Sequence, residues 1–259
     1  MSRLQYAFAD GAATITLAQG DRGNPIDLAF VDELLAAIRL ARDDDARVVV
    51  LRAEGRYFSV GGDVGAMHDA ARPEYFIDDL AEGLHRAIGD LGCLNAVVIA
   101  AVQGPAAGAG VSLATAADLV LASESATFTL AYTRIGLTPD GGSTLLGSSI
   151  GLHKAMHMAL LNPTVSALDA FTLGFVSQVE PDHELKDAVE AVTTRLLDGS
   201  RTAQVGAKRL LREHLVPHQA ATLRREAVAI RAAAGSPDGK EGVDAFVAKR
   251  RPAFPTAAS

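Results

Sequence analysis

Two short glycine-rich stretches constrain this chain more than any other feature: Ser59-Val60-Gly61-Gly62-Asp63 and Gly104-Pro105-Ala106-Ala107-Gly108-Ala109-Gly110. Each follows a strand-like run. Glycine has no Cβ to hold a neighbour away, so backbone N–H groups in such turns can approach a ligand closely. Two N–H groups aimed at one point can hold a developing oxyanion. Few acidic side chains are available beside these turns to move protons.

Around the turns, strand and helix patterns alternate. Tyr6 to Leu17 reads as two short strands about Asp10-Gly11. Asp27 is placed to cap a helix whose apolar face is Leu28, Val31, Leu34, Leu35 and Ile38. Val48-Val49-Val50-Leu51, Val97 to Val102 and Leu119-Val120-Leu121-Ala122 are apolar runs of the kind found in buried strands. Helical patterns cover Pro73 to Leu91 and Gly108 to Ala117. The alternation predicts an α/β fold with right-handed crossovers. Beyond about Ser166 strand signals fade. Helices are expected over Asp182 to Leu197, Arg201 to Leu215 and Gln219 to Ala234, with a final helical turn over Gly242 to Lys249.

The chain has 259 residues, 49% of them hydrophobic and 21% charged, which is enough for one large domain or two small ones with a sizeable core. A net charge of −7 argues against a general nucleic-acid binder. Basic residues crowd the stretch from Arg201 to Arg251. Most read as solvated helix faces, and a few could meet an anionic ligand. Cys93 is the only cysteine, so no intrachain disulfide forms and a reducing compartment fits. The N-terminal residues lack a signal-peptide pattern, and the apolar runs are too short to span a membrane. A cytoplasmic protein without membrane partners is expected.

Several common chemistries find no support. His153 and His157 have the spacing of a zinc helix but lack the glutamate a metalloprotease needs at position 154. Pro217 interrupts any helix carrying His214 and His218. No metal site is expected. No phosphate-loop or dinucleotide fingerprint occurs. Ser59 and Ser112 have no evident Ser-His-Asp partners.

Taken together, the motifs resemble the crotonase (enoyl-CoA hydratase/isomerase) family over nearly the whole chain. They are Asn24-Pro25-Ile26-Asp27, then Gly55 to Asp63, then Ala100 to Gly104 with the Gly108-Ala109-Gly110 turn, then Ile135 to Gly142, and finally Glu241 to Arg250. The resemblance implies an α/β spiral of ββα units over residues 1–200. It implies a C-terminal helical region over 201–259 for oligomerisation and closure on CoA, in homotrimers or dimers of trimers. The substrate it implies is an acyl-CoA thioester, with coenzyme A as part of the substrate and no separate cofactor. It assigns the two oxyanion-hole N–H groups to Ser59 and Ala109. Gly61, Gly62, Asp63, Gly108 and Tyr132 are expected around the substrate, and Arg22 and Asn24 along the pantetheine and adenine side. Phe246 and Lys249 match a Phe-x-x-Lys that in the family reaches CoA in a neighbouring subunit.

The proton chemistry departs from the hydratase pattern. The positions matching the two hydratase glutamates hold Ser112 and Tyr132, neither a competent base near neutral pH without help. A carboxylate does appear at Asp140, in Leu137-Thr138-Pro139-Asp140-Gly141-Gly142. There it resembles the base of epoxyphenylacetyl-CoA isomerases and related double-bond isomerases. One carboxylate suits a 1,3-proton shift. Asp140 could also cap a helix over Gly141 to Leu146, or simply sit in a turn. His85 falls near a histidine of the 4-chlorobenzoyl-CoA dehalogenases, which use an aspartate at the place of Asp140, but a helix histidine has many innocent reasons to exist and it could simply face solvent. The expectation is an acyl-CoA isomerase with Asp140 as acid/base. The alternatives are an enoyl-CoA hydratase of low or unusual activity, a non-catalytic acyl-CoA binder and a dehalogenase-like enzyme.

Overall fold

The computed structural model describes residues 2–258. In chain order its strands are β1 (Leu4–Ala9), β2 (Ala12–Leu17), β3 (Val48–Ala53), β4 (Val97–Val102), β5 (Ala106–Ala107), β6 (Leu119–Ser123), β7 (Thr127–Thr129), β8 (Val165–Ser166) and β9 (Gln178–Glu180). The helices are α1 (Leu28–Asp43), α2 (Val64–Asp69), α3 (Pro73–Cys93), α4 (Ala109–Thr115), α5 (Gly147–Ile150), α6 (Leu152–Leu161), α7 (Ala167–Leu173), α8 (Leu185–Leu197), α9 (Arg201–Leu215), α10 (Gln219–Gly235) and α11 (Pro237–Val247). Short 3-10 turns, among them Tyr132–Ile135 and Ser143–Leu146, complete the connections.

A six-stranded sheet runs in the order β1-β2-β3-β4-β6-β9. Only the β1/β2 hairpin is antiparallel; the other pairings are parallel, with Val49 opposite Val98 and Ala100 opposite Val120. Parallel strands covered on both faces must be apolar on both, and all six residues of β4 are buried. Val49, Leu51, Val98 and Ala100 join the main core under α1 and α3, whereas Val48, Val50, Ile99 and Leu121 face α8 through Leu185 and Val189. A second sheet, β5-β7-β8, packs beside the first. Asp27 caps α1 as the sequence predicts, accepting from the Phe30 N–H at 2.7 Å, and also pairs with Arg3 at 2.8 Å.

The C-terminal third departs from expectation in two ways. β8 and β9 do form, each only two or three residues long, because strand addition at a sheet edge needs little local signal. α11 begins at Pro237, five residues before the expected Gly242, with Ser236 as its N-cap. Glycine inside a helix costs about 1 kcal/mol, which hides the helix in the sequence. Gly242 is needed there because the Ile135 carbonyl lies where a Cβ would stand. Most of the basic residues are solvated as expected: seven of the eleven between Arg201 and Arg251 are exposed, and several of the eleven also hold ion pairs. Arg201 pairs with Asp45, Arg212 with Asp118, Arg231 with Asp78 and Arg250 with Glu241.

Lys208 is buried, with its Nζ 2.8 Å from Asp118 and donating to the Leu91 and Ala96 carbonyls. Burial pushes its pKa down and Asp118 opposes the shift. Asp118 also accepts from the Val98 N–H at 2.8 Å, so one carboxylate joins the central sheet to α9. Removing one partner of such a buried pair leaves an uncompensated charge, at a cost of about 3–5 kcal/mol. Asp118→Asn is therefore expected to lower unfolding free energy by about that amount, measured by denaturant titration. A loss below about 1 kcal/mol would show that the pair behaves as a surface contact.

Candidate active site

The two glycine-rich stretches meet back to back. Gly61 has φ +90°, and a Cβ on it would stand 2.6 Å from the Ala107 carbonyl oxygen and 3.4 Å from the Ala109 nitrogen. A Cβ on Gly110 would stand 2.7 Å from the Ser59 carbonyl oxygen. Only glycine permits both approaches. Beside this junction opens a cavity of about 410 Å³. Its walls are largely apolar, from Met67 on α2, Ile77, Leu80 and Leu84 on α3, and Ile230 on α10.

Ser59 does not supply an oxyanion donor. Its N–H points to the Pro105 carbonyl at 3.4 Å, its carbonyl accepts from Ala107 at 2.9 Å, and its hydroxyl donates to the Asn24 carbonyl at 2.8 Å. It is fully buried and outside the cavity wall. Pairing with Ala106 as a one-residue bridge uses up its backbone. The neighbouring bridge, Ile26 with Gly62, runs through the Gly61 carbonyl and the Asp63 N–H, which leaves Gly62's own N–H without a partner among the described residues. Gly62 lines the cavity. Ala109 lines it too, and as the first residue of α4 it has no intrahelical acceptor for its N–H. The free pair of amides is thus Gly62 and Ala109.

The other expected substrate contacts divide. Gly61, Asp63, Gly108, Tyr132, Arg22 and Phe246 line the cavity. Asp63 caps α2 by accepting from Ala66 and pairs with Arg22 at 3.1 Å, so its carboxylate is already engaged. Asn24 is not a ligand contact. Its side chain is buried, donating to the Glu54 and Tyr57 carbonyls and accepting from the Gln19 N–H, a staple between loops. Phe246 lies at the cavity of its own chain, whereas Lys249, past the end of α11, is exposed and outside that wall.

Asp140 lines the cavity and is 5% exposed. It caps no helix; the 3-10 turn after it starts at Ser143 without a side-chain cap. The Ser112 and Tyr132 hydroxyls, at the two positions where hydratases of the resemblance carry glutamates, both donate to the Asp140 carbonyl, at 3.0 and 2.9 Å. Burial and the negative charge of Asp140 drive the Tyr132 pKa well above 10. Tyr132 is therefore a phenol that donates rather than a base. Gly141 and Gly142 follow at φ +67° and +85°. A Cβ on Gly141 would stand 3.0 Å from Leu84 and 3.2 Å from Ser112.

His85 does not face solvent. It is buried on α3, with Nε2 2.9 Å from Asp140 Oδ1 and 3.4 Å from Glu226 Oε2. The Gly141 N–H also points at Nε2, at 3.2 Å. A single ring nitrogen cannot both donate to a carboxylate and accept from an amide. Two carboxylates outweigh one amide dipole, so the protonated ring is favoured. Burial pushes the His85 pKa down, but hydrogen bonding and charge attraction to Asp140 and Glu226 outweigh it and raise the value to about 9. The contact to Asp140 is close but poorly aligned, and Oδ1 keeps no hydrogen bond of good geometry. His85 itself lies outside the cavity wall.

Glu226 was invisible as a site residue in the sequence. It sits in a run of charges, Arg224-Arg225-Glu226, that reads as solvated. The available signal is the helical stripe Leu223, Ala227 and Ile230, all buried, which places position 226 beside the inward face. His85, Asp140 and Glu226 could converge on a cation, since their ligand atoms lie within 4.8 Å of one another. The donor set argues otherwise: both Glu226 oxygens already accept from Gly142 and Thr144, and the ring is favoured as a cation. Among the described residues no other metal-ligating group forms, His153 and His157 included.

A histidine whose pKa is higher folded than unfolded binds more protons in the native state between about 6.5 and 9. Its contribution is complete below about 6.5 and is lost as pH rises toward 9. Unfolding free energy is expected to fall across that window. His85→Gln should flatten the fall, as measured by denaturant titration at a series of pH values. An unchanged slope would mean the ring is neutral in the folded protein.

The sequence pattern of the family described as enoyl-CoA hydratase/isomerase matches residues 7–257. A "Probable enoyl-CoA hydratase" of Rhodobacter capsulatus is 37% identical, with 97% of each chain covered. The 1,2-epoxyphenylacetyl-CoA isomerase of Escherichia coli is 35% identical, covering 94% of this chain and 95% of its own. Among solved structures, an enoyl-CoA hydratase from Mycobacterium avium subsp. paratuberculosis superposes with a TM-score of 0.89 at 34% identity, over 97% of this chain and 98% of that one. No helix among the described residues is long and apolar enough to cross a membrane.

Proposed function

From its membership of the enoyl-CoA hydratase/isomerase family, we propose that this chain is an acyl-CoA isomerase that moves a double bond, or opens a strained ring, by a proton shift on Asp140. The thioester carbonyl would lie between the Gly62 and Ala109 amides. As a proton leaves the neighbouring carbon, charge develops on that oxygen, and preorganised donors stabilise it. Asp140 takes the proton, the two amides hold the dienolate, and the same proton returns two carbons away. One observation carries this reading. Asp140 is the carboxylate on the cavity wall not committed to capping or to an arginine, while Asp63, the other acid there, is committed to both.

A hydratase remains the second reading, supported by the name of the Rhodobacter relative. Against it, both hydratase glutamate positions hold hydroxyls spent on the Asp140 backbone. Dehalogenase-like hydrolysis would need His85 to reach a substrate water, and the ring stands behind Asp140. Asp140→Asn is expected to lower conversion of a 3-enoyl-CoA to the conjugated 2-enoyl-CoA by at least 10²-fold, with CoA-ester binding retained. Full activity in that variant refutes the assignment. Loss of the conjugated absorbance of crotonyl-CoA in water, at a rate matching isomerisation, would favour the hydratase. Binding without turnover of either substrate would favour a non-catalytic acyl-CoA binder.

The assembly is proposed to be a homotrimer or dimer of trimers. Leu152, Met156 and Leu160 lie along one side of α6 and are 50–65% exposed, and Leu211 and Leu215 on α9 are likewise exposed. Apolar stripes of this kind mark association surfaces. Light scattering after gel filtration should give three or six times 26.9 kDa, and a monomer would overturn the proposal.

A further inference from the structure

The proposed proton shift uses Asp140 and two amides, and leaves Glu226 unexplained. This residue is 4% exposed and does not line the cavity. A buried carboxylate is costly unless it is matched by donors and charge, and here each oxygen is matched. Oε2 accepts from the Gly142 N–H at 2.6 Å, and Oε1 accepts from the Thr144 N–H at 3.0 Å and from the Thr144 hydroxyl. These donors lie two and four residues after Asp140, one on the second glycine of the left-handed pair and one just past it. Oε2 also stands 3.4 Å from His85 Nε2, whose other acidic neighbour is Asp140.

We propose that Glu226 is a positioning residue for Asp140, clamping the backbone at Gly142 and Thr144 from α10 and holding the His85 ring against the Asp140 carboxylate. The proposal rests on Asp140 being the acid/base. Two physical effects combine. With the preceding carbonyl held by Ser112 and Tyr132, the clamp removes the remaining freedom of the turn, and a misplacement of about 1 Å at such a group can cost 10²-fold in rate. The second effect is electrostatic. When Asp140 takes the substrate proton it becomes neutral and no longer attracts the imidazolium. The Glu226 carboxylate still faces the ring at 3.4 Å and retains the His85 proton, so a single proton travels between substrate and Asp140 while the ring's proton count stays constant. The groups facing the ring are Asp140 and Glu226 as acids, the Gly141 N–H, and, bordering Asp140, the Tyr132 phenol.

The test pairs nitrogen-detected NMR of the His85 ring with steady-state kinetics on a 3-enoyl-CoA, both on the full-length protein. His85 in the wild type is expected to titrate near pH 9. Glu226→Gln should lower that midpoint by about one unit or more and lower kcat by about 10²-fold, with KM within about twofold of wild type. Its alkaline kcat limb should move to lower pH, and Glu226→Asp should recover part of kcat. In Asp140→Asn the His85 midpoint should stay above about 6.5, because Glu226 remains. Thr144→Val, which removes one hydroxyl from the clamp, should lower kcat without moving KM, and decides the question should Glu226→Gln not fold. A wild-type midpoint at or below about 6.5, an unmoved midpoint in Glu226→Gln, or unchanged kcat in both clamp variants overturns the proposal. A fully active Asp140→Asn variant instead sinks the isomerase reading and leaves the NMR result on Glu226 standing, so the two failures are separable.

Discussion

Asp140 is held on the cavity wall by its backbone, and the proposed chemistry depends on that anchoring. Its carbonyl accepts from the Ser112 and Tyr132 hydroxyls, its successor glycines turn left-handed, and Glu226 takes the Gly142 amide. With the main chain anchored in this way, the carboxylate reaches the cavity without a hydrogen bond of good geometry on Oδ1. A carboxylate fastened through its own oxygens would be well ordered but chemically idle, as Asp63 and Asp118 are. Anchoring the peptide leaves the Asp140 carboxylate on the cavity wall with His85, 2.9 Å away, as its charged neighbour.

That arrangement draws charge inward from the C-terminal helices. α10 delivers Glu226 to the site and Ile230 to the cavity wall, and α11 brings Phe246 to the cavity. Lys208 and Arg212 of α9 fasten the same region to Asp118 beside the central sheet. The C-terminal helices are therefore part of the site as much as of any oligomer surface. The buried ions in them are each matched by an opposite charge or by amide donors, which is the condition under which burial of charge is tolerated.

Much of the fold was legible from local pattern. The apolar runs at Val48, Val97 and Leu119 became parallel strands, Asp27 became a cap, and the two glycine stretches met because only glycine lets their backbones pack together. The cavity was legible as a place, and Asp140 lies on its wall. Its details were not. The family resemblance assigned a donor to Ser59, yet an isolated bridge to Ala106 engages its amide and leaves Gly62's free. Asn24 looked like a ligand contact and proved to be a staple. Short β8 and β9 and the glycine-bearing start of α11 carried too little local signal to be seen.

What the sequence alone determined were properties that depend on neighbours within a few residues: periodicity, capping, and the left-handed turns that glycine allows. It also determined that no carboxylate occupies positions 112 or 132 and that one occupies 140. Tertiary structure decided which amides stay unpaired and which polar side chains are buried. It decided, too, that a histidine 56 residues before Gly141 and a glutamate 84 residues after Gly142 meet there. Hydrogen bonds and charge pairs of that separation depend on how helices and sheets pack against one another, and no local pattern encodes the partner across such a gap.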